Sequence, residues 1–451
     1  MPNAEDVQFF CHTPCDLDDG FECLSNYTRG GFHPVIIGDT LPKPRTCDDA
    51  TKKPRYRVYQ KLGFGGFGTV WLARDIEDER WVAVKICPNN GTKARASSPR
   101  QVINEVRILT ELQQLRQLRH TSLACDGGRD HGHEYILEMY DSFTIHGPNG
   151  DHECLVTEVV MPLEPTFFTR HHFEPDPARA TQQIIAGFGF LHRQGIVHGD
   201  PTLNNLGVAL DQLGQVDEEH ITETFETTTW CPVMPCDPNI REGSVPAYLT
   251  STFPLVDFLA NSNMMPSPQN CRIKILDFGT SFWADEPFAN PPGHCPLKYR
   301  PPEVRIHLMS GGKVGTPWGK ESDIWGLAVL ISSLHGQSLI PSHVGRERQY
   351  FRCCQLGGAP PKECLEYMET LGFDKGYYDS WLGCNPLLLG SWDSHDYDAS
   401  WKVMRYLGVE ANRDSFLNLL RQMVRTDPRR RTPLHELLDH PYLVRNTEQS
   451  E

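Results

Sequence analysis

One short loop, His198-Gly199-Asp200-Pro201-Thr202-Leu203-Asn204-Asn205, carries an aspartate and an asparagine five positions apart. A carboxylate can receive the proton of an alcohol, and an amide oxygen can hold a divalent cation. Together they suit transfer of a phosphoryl group from ATP to a hydroxyl. The pattern H-x-D-x-x-x-x-N is weak alone. It gains weight from Lys85, which can hold the α- and β-phosphates, and from Asp277 in Asp277-Phe278-Gly279, which can hold Mg²⁺.

Those side chains need elements to position them. Tyr56-Arg57-Val58-Tyr59-Gln60-Lys61-Leu62 alternates as a strand and runs into Gly63-Phe64-Gly65-Gly66-Phe67-Gly68-Thr69-Val70. A dinucleotide fingerprint has similar glycines but opens a helix. Here Thr69-Val70-Trp71-Leu72-Ala73-Arg74 continues as β-branched and aromatic strand. A glycine loop between two strands can close over phosphates with its backbone N–H groups. Leu62, Gly63, Gly65, Gly66, Gly68 and Val70 are the candidate nucleotide contacts there, with Ala83 on the following strand.

That strand, Trp81-Val82-Ala83-Val84-Lys85-Ile86, ends on a lysine that is costly to bury without a partner. Phosphates supply one partner and a helix carboxylate another. Gln101 to Leu118 has helical spacing, with Val102, Val106, Leu109 and Leu112 apolar. Glu105 is the best partner for Lys85 and Glu111 the second choice; taken alone, Glu105 reads as an exposed helix carboxylate.

Two strands, Tyr135 to Phe143 and Cys154 to Val160, join through the turn Gly147-Pro148-Asn149-Gly150. With a lobe boundary near Met161-Pro162, backbone groups at Glu158 and Val160 would face the adenine, with Thr157 at the back of the pocket. Pro177 to Gln194 reads as a core helix. Residues from about 211 to 270 read as a Thr/Pro-rich insertion of partly ordered surface structure. Beyond the buried strand Ile273-Lys274-Ile275-Leu276, Glu303 in Pro301-Pro302-Glu303 is expected to pair with Arg431. Asp323 in Ser322-Asp323-Ile324-Trp325-Gly326 is expected to brace the loop at His198, and Pro433 to Leu438 reads as a closing amphipathic helix.

Composition bounds these readings. At 451 residues the chain suits two lobes, and 39% hydrophobic with 22% charged residues is a globular balance. No apolar run reaches the roughly 18 residues of a membrane span. The start, Met1-Pro2-Asn3-Ala4-Glu5-Asp6, lacks a signal pattern, so a cytoplasmic or nuclear location is expected. The 15 cysteines are scattered and odd in number, which reads as free thiols. Cys11-His12-Thr13-Pro14-Cys15 with Cys23 lacks the second paired element that structural zinc needs. A net charge of −15 argues against direct nucleic-acid binding and favours basic partners, although solubility alone explains it too.

With these residues in view, the chain resembles a eukaryotic protein kinase and is most similar to the SR-protein kinases and their fungal relatives. The closer likeness rests on Gly31-Phe32-His33-Pro34-Val35-Ile36-Ile37-Gly38-Asp39, on Arg55-Tyr56-Arg57-Val58, on the run from Lys61 to Asp75, and on Tyr140-Asp141-Ser142-Phe143 through Gly150. The resemblance implies an α+β, two-lobed protein kinase fold with a small β-rich N-lobe and a larger helical C-lobe. Residues 1–54 would be a tail and extended arm, with 1–29 loosely held. The N-lobe would span 55–160, the C-lobe 161–445 with the insertion at about 211–270, and 446–451 a tail. It further implies use of ATP and Mg²⁺ to phosphorylate serines of Arg/Ser-rich proteins; apart from the resemblance, charge and hydropathy lead us to expect no direct nucleic-acid or membrane partner, and a monomer is expected. Lys85 held by Glu105 would orient phosphates, Asn205 and Asp277 would bind the metal, and Asp200 would take the hydroxyl proton.

Three positions depart from the kinase pattern. Gly199 stands where many kinases have an arginine that reads a phosphorylated activation segment; SR-protein kinases also lack it. Thr202 stands where protein-serine kinases usually have a lysine that neutralises the transferring phosphoryl group, a loss on the order of 10²-fold or more in rate. Gly207 replaces a larger residue expected beneath the adenine. Thr202 and Gly207 keep open a pseudokinase that binds nucleotide or a basic partner with little transfer. A small-molecule phosphotransferase also has an H-x-D…N loop, but not Pro301-Pro302-Glu303, Asp323 and Arg431.

For the substrate, the informative stretch is Pro361 to Ser400, with eight acids (Glu363, Glu366, Glu369, Asp374, Asp379, Asp393, Asp396 and Asp398) against Lys362 and Lys375. Glu363, Glu366 and Glu369 recur every third residue and so share a helix face. That face is either simply solvated or a dock for an arginine-rich segment.

Overall fold

Strand alternation from residue 40 onward builds an antiparallel sheet. In the computed structural model, which describes residues 9–10, 20–88, 99–121, 131–163, 173, 175–224, 228–235, 241–286, 295–336, 338–340, 345–372 and 410–448, this sheet has six strands. They are β1 (Thr40–Leu41), β2 (Tyr56–Gly65), β3 (Gly68–Asp75), β4 (Arg80–Ile86), β5 (Met139–Gly147) and β6 (Gly150–Thr157), in the order β1-β2-β3-β4-β6-β5. Tyr56, Val58, Trp71, Ala73, Val82, Val84, Phe143 and Val156 point to one buried cluster, as period-2 alternation requires. Tyr56 stacks on Phe143 with the rings nearly parallel.

Two tight hairpins shape this sheet. Gly65 pairs with Gly68 across Gly66-Phe67, and Gly147 pairs with Gly150 across Pro148-Asn149. Gly68 sits at φ +115°, and a Cβ there would lie 2.0 Å from the Ile86 carbonyl oxygen. Only glycine fits.

The chain divides into two compact units, the first drawn from residues 1–122, 137–161 and 208–266. The helix α1 (Pro99–Thr121) belongs to it, with Glu105, Ile108, Leu109 and Leu112 buried. So does the insertion as far as residue 266, which the sequence assigned to the C-lobe as surface structure. Its described part instead buries Leu213, Val216, Ile221, Val233, Leu249 and Leu259. The threonines that suggested disorder are hydrogen-bond partners of β2. Gln60 Nε2 donates to Thr224 and Thr228, both at 3.1 Å, and Lys61 Nζ donates to the Thr250 carbonyl at 2.7 Å. The Trp81 indole donates to the Val216 carbonyl at 2.8 Å, and Phe253 N to the Lys61 carbonyl at 2.7 Å.

The expectation of a loose N-terminal tail fails over residues 20–29. Tyr27 meets Phe32 edge-on and packs with Cys231, Val233 and Leu249 of the insertion. Cys231 is disulfide-bonded, against the reading of free thiols throughout, whereas Cys87, Cys154, Cys353 and Cys354 are buried outside any disulfide. Cys11 and Cys15 lie outside the described residues.

The second unit, residues 123–136, 162–207 and 267–451, is mainly helical. Its α2 (Pro177–Arg193) starts on Asp176, whose carboxylate accepts the Arg179 backbone N–H at 2.7 Å. After it come α3 (Pro302–Met309), α4 (Lys320–Leu334), α5 (Arg346–Gly357), α6 (Lys362–Thr370) and α7 (Glu410–Met423). The α4 helix is buried almost all round, from Ser322 to Ser332, as its apolar sequence demands. Ile306, Tyr350, Phe351, Cys354, Cys364 and Met368 form a cluster joining α3, α5 and α6. Two short strands, β7 (Ile196–Val197) and β9 (Phe282–Trp283), pair antiparallel, and β8 (Ile273–Ile275) leads to Asp277. The closing amphipathic helix is a single turn, Leu434–Leu437.

Candidate active site

In the first unit, the β2–β3 hairpin presents the glycines. Gly65 and Gly66 are exposed, Leu62, Gly63 and Val70 half-buried, and Gly68 and Ala83 buried. Val70 lies opposite Lys85 in the β3–β4 ladder. The Lys85 ammonium reaches both Glu105 oxygens, at 3.0 and 2.9 Å, and Glu105 is only 4% exposed. A carboxylate that buried needs a cation, and α1 delivers it to the end of β4. Glu111 is held elsewhere, beside Arg107 on its own helix. Glu158 uses its side chain locally: Oε1 accepts the Glu138 N–H at 2.7 Å. Val160 follows on a short strand and is half-buried.

In the second unit, the loop after β7 holds Asp200 by its neighbours. The Asn205 amide donates to the Asp200 carbonyl at 2.8 Å and to its Oδ2 at 2.9 Å. That leaves Asn205 Oδ1 as an acceptor for a cation. Asp200 Oδ1 is buried with no hydrogen-bond partner among the described residues. Burial pushes the Asp200 carboxyl above the usual carboxylate range and the charge of Asp277 adds to this, against His198, Cys295 and Asn205. Asp277 sits in the left-handed region at φ 56°, its Oδ1 accepting the Gly279 N–H at 3.3 Å. A non-glycine residue there stores strain of roughly 1 kcal/mol or more.

The two loops are stitched together within this unit. Leu276 N donates to the Asn205 carbonyl at 2.9 Å, and the Thr280 and Ser281 hydroxyls donate to the His198 carbonyl at 3.1 and 3.0 Å. Beneath them Asp323 is wholly buried and accepts four hydrogen bonds. His198 N and Gly199 N reach it at 2.7 and 3.0 Å, the His192 ring at 3.1 Å and the Trp318 indole at 2.8 Å. Burial alone would raise its pKa, but the bond and charge of His192 lead the effects that hold it below the ordinary value. The brace expected of Asp323 is therefore present, as is the Glu303–Arg431 pair at 2.7 and 2.6 Å. Thr202 is buried and Gly207 lies on the short strand Leu206–Ala209.

Sequence reasoning missed two features. Gly199 adopts φ +84°, which glycine takes without steric cost, so this residue serves the backbone as well as removing an arginine. Lys61, to which the strand reading gave no role, is fully buried and paired with Glu22 at 2.5 Å. No local signal marks that pair, because its members are 39 residues apart.

The residues fit the groups that phosphoryl transfer needs. Asn205 Oδ1 and Asp277 offer hard oxygen ligands suited to Mg²⁺. The ammonium–carboxylate pair on β4 and α1 and the glycine hairpin suit a polyphosphate.

Comparison with known proteins agrees. The protein kinase domain pattern matches residues 56–212 and 259–443. A serine/threonine protein kinase of Aspergillus fumigatus is 26% identical over 439 residues, 94% of this chain and 90% of that protein. A serine/threonine-protein kinase named SRPK, from Physarum polycephalum, is 24% identical over 95% of this chain and 92% of its own length. The protein kinase dsk1 of Schizosaccharomyces pombe is 32% identical over a shorter stretch, 42% of this chain and 31% of that protein. A crystal structure of a kinase domain, 18% identical, superposes with a TM-score of 0.51 over 90% of this chain and 99% of its own, a likeness of fold.

Proposed function

The chain belongs to the protein kinase family, in its SR-protein-kinase-like branch, and from that premise we propose that it phosphorylates serines in Arg/Ser-rich proteins. The observation that carries an active enzyme is the formed Lys85–Glu105 pair, because a half-buried ammonium held 2.9 Å from a buried carboxylate is ready to orient phosphates. ATP would supply the phosphoryl group and Mg²⁺ would neutralise the charge that develops on it. Asn205 Oδ1 and Asp277 would hold the metal. Lys85 would bind the α- and β-phosphates beneath the hairpin of Gly63, Gly65, Gly66 and Gly68. Asp200, its Oδ2 tied by the Asn205 amide, would orient the serine hydroxyl and accept its proton late in transfer.

The location we infer is cytoplasmic or nuclear; no helix among the described residues is long and apolar enough to cross a membrane. For the substrate, α6 supports a basic partner. Glu363, Glu366 and Glu369 are all exposed, while Cys364 and Met368 anchor the opposite face. Asp374, Asp379, Asp393, Asp396 and Asp398 lie outside the described residues. Charge reversal at the three glutamates should raise KM for an Arg/Ser peptide and leave a neutral serine peptide unchanged. Equal effects on both would remove the docking role.

One observation favours a second reading. Thr202 offers a hydroxyl where an amine would meet the transferring phosphoryl group. Transfer from radiolabelled ATP-Mg²⁺ to an Arg/Ser-repeat peptide, beside Asp200→Asn, decides between the two. Transfer abolished by the substitution supports the kinase. No transfer, with nucleotide still raising the melting temperature, means a nucleotide-binding pseudokinase.

A further inference from the structure

The first unit contains a cavity of about 550 Å³ that involves none of the residues assigned above to phosphoryl transfer. Its walls come from residues 27–29 of the N-terminal segment, the turn at 147–150 and Arg241, Ser244 and Val245 of the insertion. The first and third of these fall outside the residues matched to the kinase domain. The cavity is therefore an addition to the family's shared core.

Its chemistry runs against the rest of the chain. The protein carries 58 acidic residues against 43 Lys and Arg, yet the lining includes Arg29 and Arg241 and no carboxylate among the described residues. The walls are fixed by buried bonds. Asn149, 2% exposed, donates through its amide to the Phe32 and Ser244 carbonyls, both at 2.7 Å, and its own carbonyl accepts the Gly30 N–H at 2.8 Å. One Asn149 side chain thus ties all three segments together. Arg241 Nη1 donates to the Pro148 carbonyl at 2.7 Å, which holds that guanidinium against the turn.

We propose that this cavity binds a phosphate monoester, with Arg29 and Arg241 receiving the oxyanion and Pro148 and Val245 facing its organic part. Guanidinium forks match the oxygens of a phosphate, and two of them suit a dianion better than a single carboxylate. The volume exceeds what inorganic phosphate fills and lies within the about 300–1,000 Å³ of small-ligand sites. The monoester has two possible sources, a phosphoserine within a peptide and a free small phosphate ester.

The test is fluorescence polarisation of a labelled phosphoserine peptide of otherwise neutral sequence, with the full chain and with Arg241→Glu, Arg29→Glu and Lys85→Met. Arg241 is exposed, so its substitution should leave the fold intact, which circular dichroism checks. Each arginine reversal should weaken binding about tenfold or more, and Lys85→Met should leave it unchanged. Competition by free O-phosphoserine equal to that of the peptide supports the site with a small-ester source. Competition by phosphopeptide alone supports it with a protein source. The proposal is overturned by equal binding of the unphosphorylated peptide, by no binding, or by loss with Lys85→Met alone. The last result would put the phosphate in the nucleotide site, and none of the three bears on whether the chain transfers phosphate.

Discussion

Replacing Glu22 with Gln should destabilise the first unit by about 3–5 kcal/mol, the usual cost of removing one partner from a buried ion pair. The magnitude follows from burial. The Lys61 and Glu22 side chains are 1% and 0% exposed, so water cannot replace the lost charge. Lys61 would keep only the Thr250 carbonyl at 2.7 Å and the face of Trp71, 5.2 Å from its ring centre. Burial already pulls the Lys61 ammonium below its ordinary pKa against the charge of Glu22, so the substitution removes its main electrostatic support. Glutamine still offers an oxygen to the Tyr27 hydroxyl, which donates to Glu22 at 2.5 Å, so the loss reports the charge and not the tyrosine. Scanning calorimetry is the assay, because two compact units can unfold separately. For a unit of this size the melting temperature should fall by roughly 6–20 °C. Glu22→Gln with Lys61→Met should recover most of it, since removing both charges leaves nothing unpaired. A single-variant loss below about 1 kcal/mol, or a double variant as unstable as the single ones combined, would refute this reasoning.

The Asp200 carboxyl has a folded pKa raised by burial, so its ionisation opposes folding and stability is lost as pH rises through that pKa. Asp200→Asn should therefore melt higher than the parent at pH 7 and equally below about pH 3, while transfer falls by about 10²-fold or more; a lower melting point at pH 7 contradicts this. The parent's kcat/KM should decline on the acid side at a pH above the ordinary carboxylate pKa of about 4, which a pH–rate profile reads. Arg431→Met should cost about 3–5 kcal/mol in urea unfolding, because it leaves Glu303, 5% exposed, with only the Ser322 hydroxyl at 3.1 Å. Gly68→Ala should raise KM for ATP about tenfold, since a Cβ placed 2.0 Å from the Ile86 carbonyl at φ +115° must shift the hairpin; an unchanged KM would show that the hairpin does not contact nucleotide.

Local patterns made much of the fold legible. The alternating stretch Tyr56 to Leu62 and the apolar run Trp81 to Ile86 both marked strands, and they fall within Tyr56–Gly65 and Arg80–Ile86. Lys85 pointed to Glu105 because a lysine closing an apolar strand requires a carboxylate, and the next helix offers few. The bracing by Asp323 and the pairing of Glu303 with Arg431 followed from the resemblance to kinases, not from spacing. What escaped was decided by contacts distant in sequence. Thr228 and Thr250 look like surface threonines until Gln60 and Lys61 are seen to bond them. Glu22 sits among acidic and glycine residues that read as tail, and only Lys61 gives it a reason to be buried.

The first unit also has an awkward order of synthesis. Lys61 must wait for Thr250, 189 positions further along, and the Gly20 carbonyl for the Thr252 hydroxyl, 232 positions along. At about 5–20 residues per second a ribosome takes roughly ten to forty seconds to make the chain between Lys61 and Thr250. Throughout that time Gln60, Lys61 and the Trp81 indole lack their hydrogen-bond partners in the insertion, while part of the second unit emerges before the first can close. The first unit has all its parts only once residue 266 has left the exit tunnel.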